Sequence, residues 1–374
     1  MSELRGKQYV LQKIQQRAVG WVELRYRLAG AAPGSVFVAA GELDAVLEDG
    51  LEWPDGETLL VPDVATFVCA RAERDGDATP LASLVCDVQR VDGTPHPLCV
   101  RSALKRVLAR LAHHQRFCLG ASIAVRWREA DSRRPVPVGL DRAERLGQRM
   151  ARQLEREGCG VRAWGRIGGV AHQRFVFHAT DPLALADTLA AFQRLAPALA
   201  VSEGARAVFG GGQSAGAVAA VAGLELLLGV DGGDAAPWDD GLTTDGLSAE
   251  GRIIAERFAA MSGALKWVFR QGTAGWLADV PFEVVARHAP RVGDASMLAV
   301  GGLDAGVDPY LAAAVVLALV GDDHPLELAG IEDAAGATDH VAVPWLRAAL
   351  GEPLVASVMG RARARLAKRQ PSAV

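Results

Sequence analysis

Trp164, Arg166, His172 and Arg174 have the types and spacing to hold a ligand. His172, Arg174 and His178 are an even number of residues apart, so on one strand they share a face. Guanidinium and imidazole groups gathered there would attract an anion, because the arginine fork matches oxyanion geometry. The plainer reading of the same residues is a structural role in a filled cavity. Trp127 and Trp164 suit either reading, as aromatic fill that avoids a costly void or as walls of an apolar pocket. Gly210-Gly-Gly-Gln-Ser-Ala-Gly216 is glycine-rich enough to cradle phosphate. It lacks the Gly-Lys-Ser/Thr of a P-loop, however, and reads as a loop or strand entry. His113 and His114 are adjacent, so on a helix they diverge and read as solvated rather than as a metal pair. The five cysteines, Cys69, Cys86, Cys99, Cys118 and Cys159, form no CxxC pair and read as reduced thiols. No Ser/His/Asp or Cys/His constellation emerges.

The elements that must position these residues follow from hydrophobic period and turn signals. Ile123 to Trp127 reads as a strand, and Val161–Trp164 and Arg174–His178 as a strand pair. Arg142 to Glu157 is a charged helix ending at Gly158, and Pro182 to Leu199 a long Ala/Leu helix. Upstream, Trp21–Leu28, Ser35–Ala39, Ala65–Ala70 and Ala82–Gln89 read as strands, with a short helix from Ala40 to Leu47 closed by Asp49-Gly50. Val100 to Leu111 has helical spacing. Gly210 to Leu228 is consistent with a buried strand and Gly229 to Gly246 with a loop. Ala249–Trp267, Asp308–Val320 and Pro344–Lys368 read as helical. The order predicts an α+β chain, with a small domain over residues 1–98 and a large one over 99–374.

Composition removes several function classes. With 40 basic and 44 acidic residues the net charge is −4, which argues against bulk binding to nucleic acid or membrane. Half of the 374 residues are hydrophobic, enough for a large core without disulfide staples. Only five of the basic residues are lysine, which with abundant Ala and Gly indicates high-GC coding bias. The longest apolar run, Tyr310 to Val320, is about half of the ~20 residues a bilayer span needs. Met1 to Gln16 is polar and charged with no apolar signal core, so a cytoplasmic location is expected.

Short motifs recur along the chain in a recognisable order. Glu48-Asp-Gly50 is followed by Leu60-Val-Pro-Asp-Val-Ala-Thr66, Val85-Cys-Asp-Val88, Asp92-Gly93 and Val100-Arg-Ser-Ala-Leu-Lys-Arg106. Asp181-Pro-Leu-Ala-Leu-Ala-Asp187 opens a helix, and Leu303-Asp-Ala-Gly-Val-Asp-Pro-Tyr-Leu311 precedes an Ala-rich one. In this order the segments resemble the glutamine synthetase family, the ATP-dependent glutamate–ammonia ligases, with its "LxPDxxT", "CDV", "PRxxLKR" and "PDxxxNPYLAxAA" patterns. The resemblance implies a small N-terminal β-grasp domain and a large catalytic-type domain. In the large domain a curved antiparallel sheet with flanking helices surrounds a funnel that binds ATP, glutamate and divalent metals. It also implies rings in which the small domain of one subunit completes the site of its neighbour.

Phosphoryl transfer to a carboxylate needs cations bridging the phosphates, and therefore several oxygen ligands. The resemblance puts the glutamates of the family's "GxExE" strand at Ser122 and Ala124, within Gly120-Ala-Ser-Ile-Ala-Val-Arg126. The glutamate of "GQxE" falls on Arg174, seven residues before Asp181, or on Phe175 if the match slides by one. The "GxGxHxH" strand falls on Ser214 to Ala220, with Val218 and Ala220 at the histidines, and the late "ExR" on Ala299 and Gly301. None of these supplies a carboxylate, and Arg174 would repel a cation. The arginine segments "NSYKRL" and "NRSxxxR" have no counterpart between Trp267 and Arg291. Of "DGSS" the resemblance leaves Asp55-Gly56, so Asp55 is the sole candidate for a catalytic remnant, its other reading being an ordinary turn aspartate. The expectation is a glutamine synthetase-like pseudoenzyme using neither ATP nor metal. It would act as an oligomeric scaffold, in its own ring, or as a subunit of a hetero-oligomer with an active paralogue. The alternatives are an ATP-dependent amine–carboxylate ligase with an altered site, of glutamine synthetase or γ-glutamyl-amine ligase type, and a small-molecule sensor using the remodelled funnel.

Overall fold

The computed structural model describes residues 2–71, 80–112, 117–130, 136–167, 171–209, 223–230, 238, 246–269, 283–288, 296–321 and 339–367. The chain divides into two compact units, Met1–Ala103 with Arg156–Gly158, and Leu104–Glu155 with Cys159–Val374.

The first unit holds α1 (Ser2–Gln16), β1 (Trp21–Tyr26), β2 (Gly34–Ala39), α2 (Leu43–Asp49), β3 (Leu51–Glu52), β4 (Thr58–Arg71), β5 (Pro80–Arg90) and the start of α3 (Val100–Leu111). Its sheet runs β2-β1-β5-β4-β3, with β1 parallel to β5 and the other pairs antiparallel. The period-2 set Val22 and Leu24 on β1, and Ala82, Leu84, Cys86 and Val88 on β5, is buried in one core with Val10 and Ile14 of α1 and Leu43 and Val46 of α2. Gly50 closes α2 as expected, at a φ of 80° that other residues rarely adopt. Helix α1 was not expected. Its apolar stripe is narrow, and burial of Val10 and Ile14 against the sheet supplies what its polar sequence conceals.

Three motifs behind the family resemblance converge inside this unit. The Arg101 guanidinium, 2% exposed, lies 2.8 Å from the Asp63 carboxylate and 3.0 Å from that of Asp87. Thr66, from the same motif as Asp63, accepts a hydrogen bond from the Val85 amide and donates one to the Asp63 carbonyl. The motifs are therefore structural here, a buried guanidinium held by two carboxylates, which is costly to break.

The second unit contains β6 (Phe117–Glu129), α4 (Leu140–Arg156), β7 (Val161–Arg166), β8 (His172–Thr180), α5 (Pro182–Ser202), β9 (Ala205–Val208), β10 (Leu224–Val230), α6 (Ala249–Ala260), α7 (Ser262–Phe269), β11 (Glu283–His288), β12 (Ser296–Leu303), α8 (Pro309–Gly321), α9 (Asp339–Leu350) and α10 (Glu352–Ala367). The antiparallel sheet runs β11-β12-β10-β6-β8-β7, and β9 pairs with the end of β6. The architecture is mixed α and β, a sheet with flanking helices, as expected. Two expected helices are each broken in two, 249–267 at Met261 and 344–368 at Gly351, where φ is 97°. The short strands β9, β11 and β12 were not expected.

Asp181 and Asp308 cap α5 and α8 by accepting backbone N–H bonds, and the Tyr310 hydroxyl donates to Asp187 at 2.7 Å. Thus the two downstream motifs of the resemblance also hold each other. Helix α8 is buried from Pro309 to Leu319. Among the described residues no helix is long and apolar enough to cross a membrane.

Candidate functional site

Strand β6 organises the site because its two faces have different fates. Leu119, Ala121, Ile123, Val125 and Trp127 are fully buried, on the face covered by α4 and α5. There Phe175 lies edge-on to Phe192 of α5, with ring centroids 5.1 Å apart. Gln173, fully buried, accepts from the Trp127 indole N–H and donates to the Ala143 carbonyl of α4, both at 2.7 Å. This is the glutamine of the shifted "GQxE" match, and its role here is to satisfy a buried indole.

The even-numbered residues of β6 face the other way. Ser122 stands opposite Val176 on β8 and Glu225 on β10, and Ala124 opposite Arg174. Arg126 stands opposite His172, and Arg128 opposite Arg206 of β9. Ala299 of β12 pairs with Leu227, which in turn pairs with Gly120. The register therefore brings Ser122, Ala124, Arg174 and Ala299 onto one face of one sheet. Ser122 is 5% exposed and Ala124 1%, whereas Arg126 and Arg128 are half-buried and Arg206 is exposed. Solvent access rises along the strand.

The four residues of the expected anion pocket are split between the two faces. His172 and Arg174 lie on the face of Ser122. Trp164 pairs with Phe175 and Arg166 with Gln173, which puts both on the helix-covered side. The Trp164 ring stacks on Phe175 with centroids 6.1 Å apart, and Arg166 lies 3.9 Å from Glu144 of α4. The physical reason is the strand period, since Trp164 and Arg166 have the parity that pairing with β8 assigns to the core. Val218, Gly210–Gly216, His113 and His114 lie outside the described residues. In the first unit, Asp55 accepts hydrogen bonds from the backbone N–H groups of Glu57 and Thr58 and from the Thr58 hydroxyl. These donors, the Glu57 amide first, hold its carboxyl below the usual aspartate range. Its geometry is that of a turn carboxylate.

Electrostatically the face is basic. Burial, and then the charges of Arg126 and Arg174, push the His172 imidazole down to about 4, so it is neutral at neutral pH. Burial, and then Arg128, lower the Arg126 guanidinium from its ordinary value. Sequence reasoning missed Arg126, Arg128, Arg206 and Glu225. Alternate parity within the strand Ile123–Trp127 would have found Arg126, and its extension by one residue Arg128. The signal for Glu225 was a lone carboxylate inside the apolar run Leu224–Leu228.

A divalent cation serving phosphoryl transfer takes several oxygen ligands. Ser122, Ala124, Arg174 and Ala299 supply no carboxylate, and Glu225 is one acidic side chain beside a row of guanidiniums. Among the described residues no group of three or more His, Cys, Asp or Glu side chains could hold a metal. The described residues of this face do not fit a resident metal with ATP.

In fold the chain is similar to a solved structure described as a novel glutamine synthase homolog, with a TM-score of 0.73 and 19% identity over 95% of this chain and 96% of that one. It is similar also to GmaS without ligand, with a TM-score of 0.74 and 17% identity over 97% of each chain. A GmaS complex with ADP gives a TM-score of 0.71 and 18% identity, again over 97% of each. The fold is thus that of the glutamine synthetase-like proteins. In sequence the chain is a distant homologue of glutamine synthetases. It is 24% identical over 230 residues to that of Mycolicibacterium smegmatis and 25% identical over 234 residues to that of Mycobacterium tuberculosis strain H37Rv. Each match takes in 55% of this chain, and the chain spans 51% of the length of these curated relatives. No family model matches.

Proposed function

We propose that the chain is a glutamine synthetase-like pseudoenzyme that has no ATP- and metal-dependent ligase activity and acts through assembly. The observation that supports this reading is the composition of one sheet face, where Ser122, Ala124, Arg174 and Ala299 stand without a set of cation ligands. A cytoplasmic ring of its own, or a hetero-oligomer with an active paralogue, is the form such a subunit would take. Asp55 already spends both carboxylate oxygens on its own turn, so its contribution to a neighbour would be shape rather than chemistry. Calorimetric titration with MgATP and MnATP, on protein sized by light scattering, tests the proposal. A large particle that binds neither supports it. Micromolar binding with magnesium- or manganese-dependent turnover overturns it, and a monomer that ignores active family members overturns the assembly role.

Likeness to glutamine synthetases and to GmaS, including its ADP complex, favours a second reading, an amine–carboxylate ligase with an altered site. On the described face that reading has Glu225 as its acidic group. Glu225→Gln would then abolish any metal-dependent ATP turnover.

A further inference from the structure

The face of β6 on which the expected metal carboxylates are missing carries several guanidiniums. Arg126 and Arg128 are two residues apart on one strand, with Cα atoms about 7 Å apart. Arg128 is directly opposite Arg206, a like-charge pairing that destabilises a sheet. Arg174 lies one strand over, opposite Ala124 and Gly165, whose small side chains leave its guanidinium room on that face. His172 completes the group, opposite Arg126 and 5% exposed. Among the described residues the side chains of Arg126 and Arg128 make no hydrogen bond or ion pair, and the Arg128 Nε is buried without a partner. An acidic group on the face, Glu225, is opposite Ser122, further along β6 towards its start. Among the described residues Arg126 and Arg128 are half-buried guanidiniums with no carboxylate bonded to them, a costly arrangement in isolation. They are also the arrangement that recognises a tetrahedral oxyanion, by forked N–H donors in a partly dehydrated setting.

We propose that this face binds a phosphate-class oxyanion directly, without a metal, between Arg126, Arg128 and Arg174, with His172 at its edge. The proposal rests on the loss of cation ligands argued above and reverses the sign of the ligand. The anion neutralises the like charges that the fold holds together. The open end of β6, where Arg126, Arg128 and the exposed Arg206 lie, is its entry.

The test is calorimetric titration of the full chain with inorganic phosphate, and separately with ADP, in metal-free buffer. Wild type takes up phosphate. Arg126→Gln and Arg174→Gln each weaken it at least tenfold, and Arg347→Gln, in an exposed ion pair with Glu352 on other helices, leaves it unchanged. ADP binding tighter than phosphate, lost in the same variants, assigns the oxyanion to a nucleotide. Phosphate binding without ADP binding assigns it to a small free oxyanion, and either result supports the site. Without phosphate, Arg126→Gln raises Tm by relieving repulsion, and phosphate no longer raises it further. Arg128→Lys keeps the charge and loses the fork, and weakens phosphate binding even if the glutamine variants do not fold. Absence of phosphate and ADP binding at millimolar concentration overturns the proposal. So does undiminished binding in the Arg126→Gln/Arg174→Gln double variant, or a lower Tm in Arg126→Gln with and without phosphate. Micromolar MgATP binding would instead overturn the pseudoenzyme reading, so the two failures are distinct.

Discussion

His172 should remain neutral down to about pH 4, against an ordinary imidazole value of 6.5. Burial is the largest cause, and Arg126 across on β6 and Arg174 on its own strand add to it. Also on this face are Arg128, His178 and, beside Ser122, Glu225. The unfolded chain binds a proton at this imidazole near pH 6.5 and the folded chain does not, so stability is intact above that pH and falls as pH drops towards 4. Each pH unit of difference corresponds to about 1.4 kcal/mol, so the acid penalty approaches ~3 kcal/mol near pH 4. Between pH 7 and 5 it amounts to about 2 kcal/mol. The assay is a histidine-resolved NMR titration with the His172 signal assigned by its loss in His172→Gln, together with urea unfolding at both pH values. His172→Gln removes this part of the pH dependence. Arg126→Gln and Arg174→Gln each raise the midpoint yet leave it below 6.5, because burial persists. A His172 midpoint near 6.5 in wild type, or an unchanged pH slope in His172→Gln, would falsify the placement of this side chain under two guanidiniums.

Three further substitutions probe the scaffold. Arg101→Met leaves Asp63 and Asp87 without their buried cation and should cost about 3–5 kcal/mol, read from the urea midpoint; a loss below ~1 kcal/mol would show the pair to be solvated. Gly147→Ala should lower Tm although it improves helix propensity by about 1 kcal/mol. The new Cβ would meet the Trp164 ring at 2.5 Å and the hydrogen-bonded Gln173 amide at 2.7 Å, so overpacking of about 1–3 kcal/mol prevails, and a higher Tm would contradict that packing. Tyr310→Phe deletes the bond to Asp187 and should cost about 1 kcal/mol by chemical denaturation, with no effect if the hydroxyl is bonded to water instead.

How far the sequence could be read depended on whether a signal was local. Helix α3 is found over the expected residues, because its apolar period is complete within the segment. Strands β1, β2, β5, β7 and β8 were legible from alternation and turns, although their ends were not. Helix α1 and strands β9, β11 and β12 were hidden, since their stability comes from partners distant in sequence. At the site, matching short motifs in order placed Ser122, Ala124, Arg174 and Ala299 where the sheet brings them together. Proximity in sequence misplaced Trp164 and Arg166, because which face of β7 meets β8 is decided by pairing register. Arg126, Arg128 and Arg206 form a group through pairings between residues distant in sequence, which spacing along one segment does not show.

The motif residues that remain and those that are missing follow one physical distinction. Arg101 is paired with both Asp63 and Asp87 inside the protein, so each is needed for stability whatever the protein does. Carboxylates at positions 122 and 124 would be different, since at 5% and 1% exposure they would be a buried like-charge pair that one guanidinium, Arg174 opposite position 124, would only half neutralise without a bound cation. Where no cation binds, Ser122 and Ala124 are the stabilising choices, and stability alone accounts for them. The same reasoning should have removed Arg126 and Arg128, which lie half-buried near a third guanidinium and, among the described residues, with no carboxylate bonded to them. Stability does not account for these residues. An oxyanion held between them does, since it converts a repulsive row into a neutral cluster and gives the strand a reason to keep it.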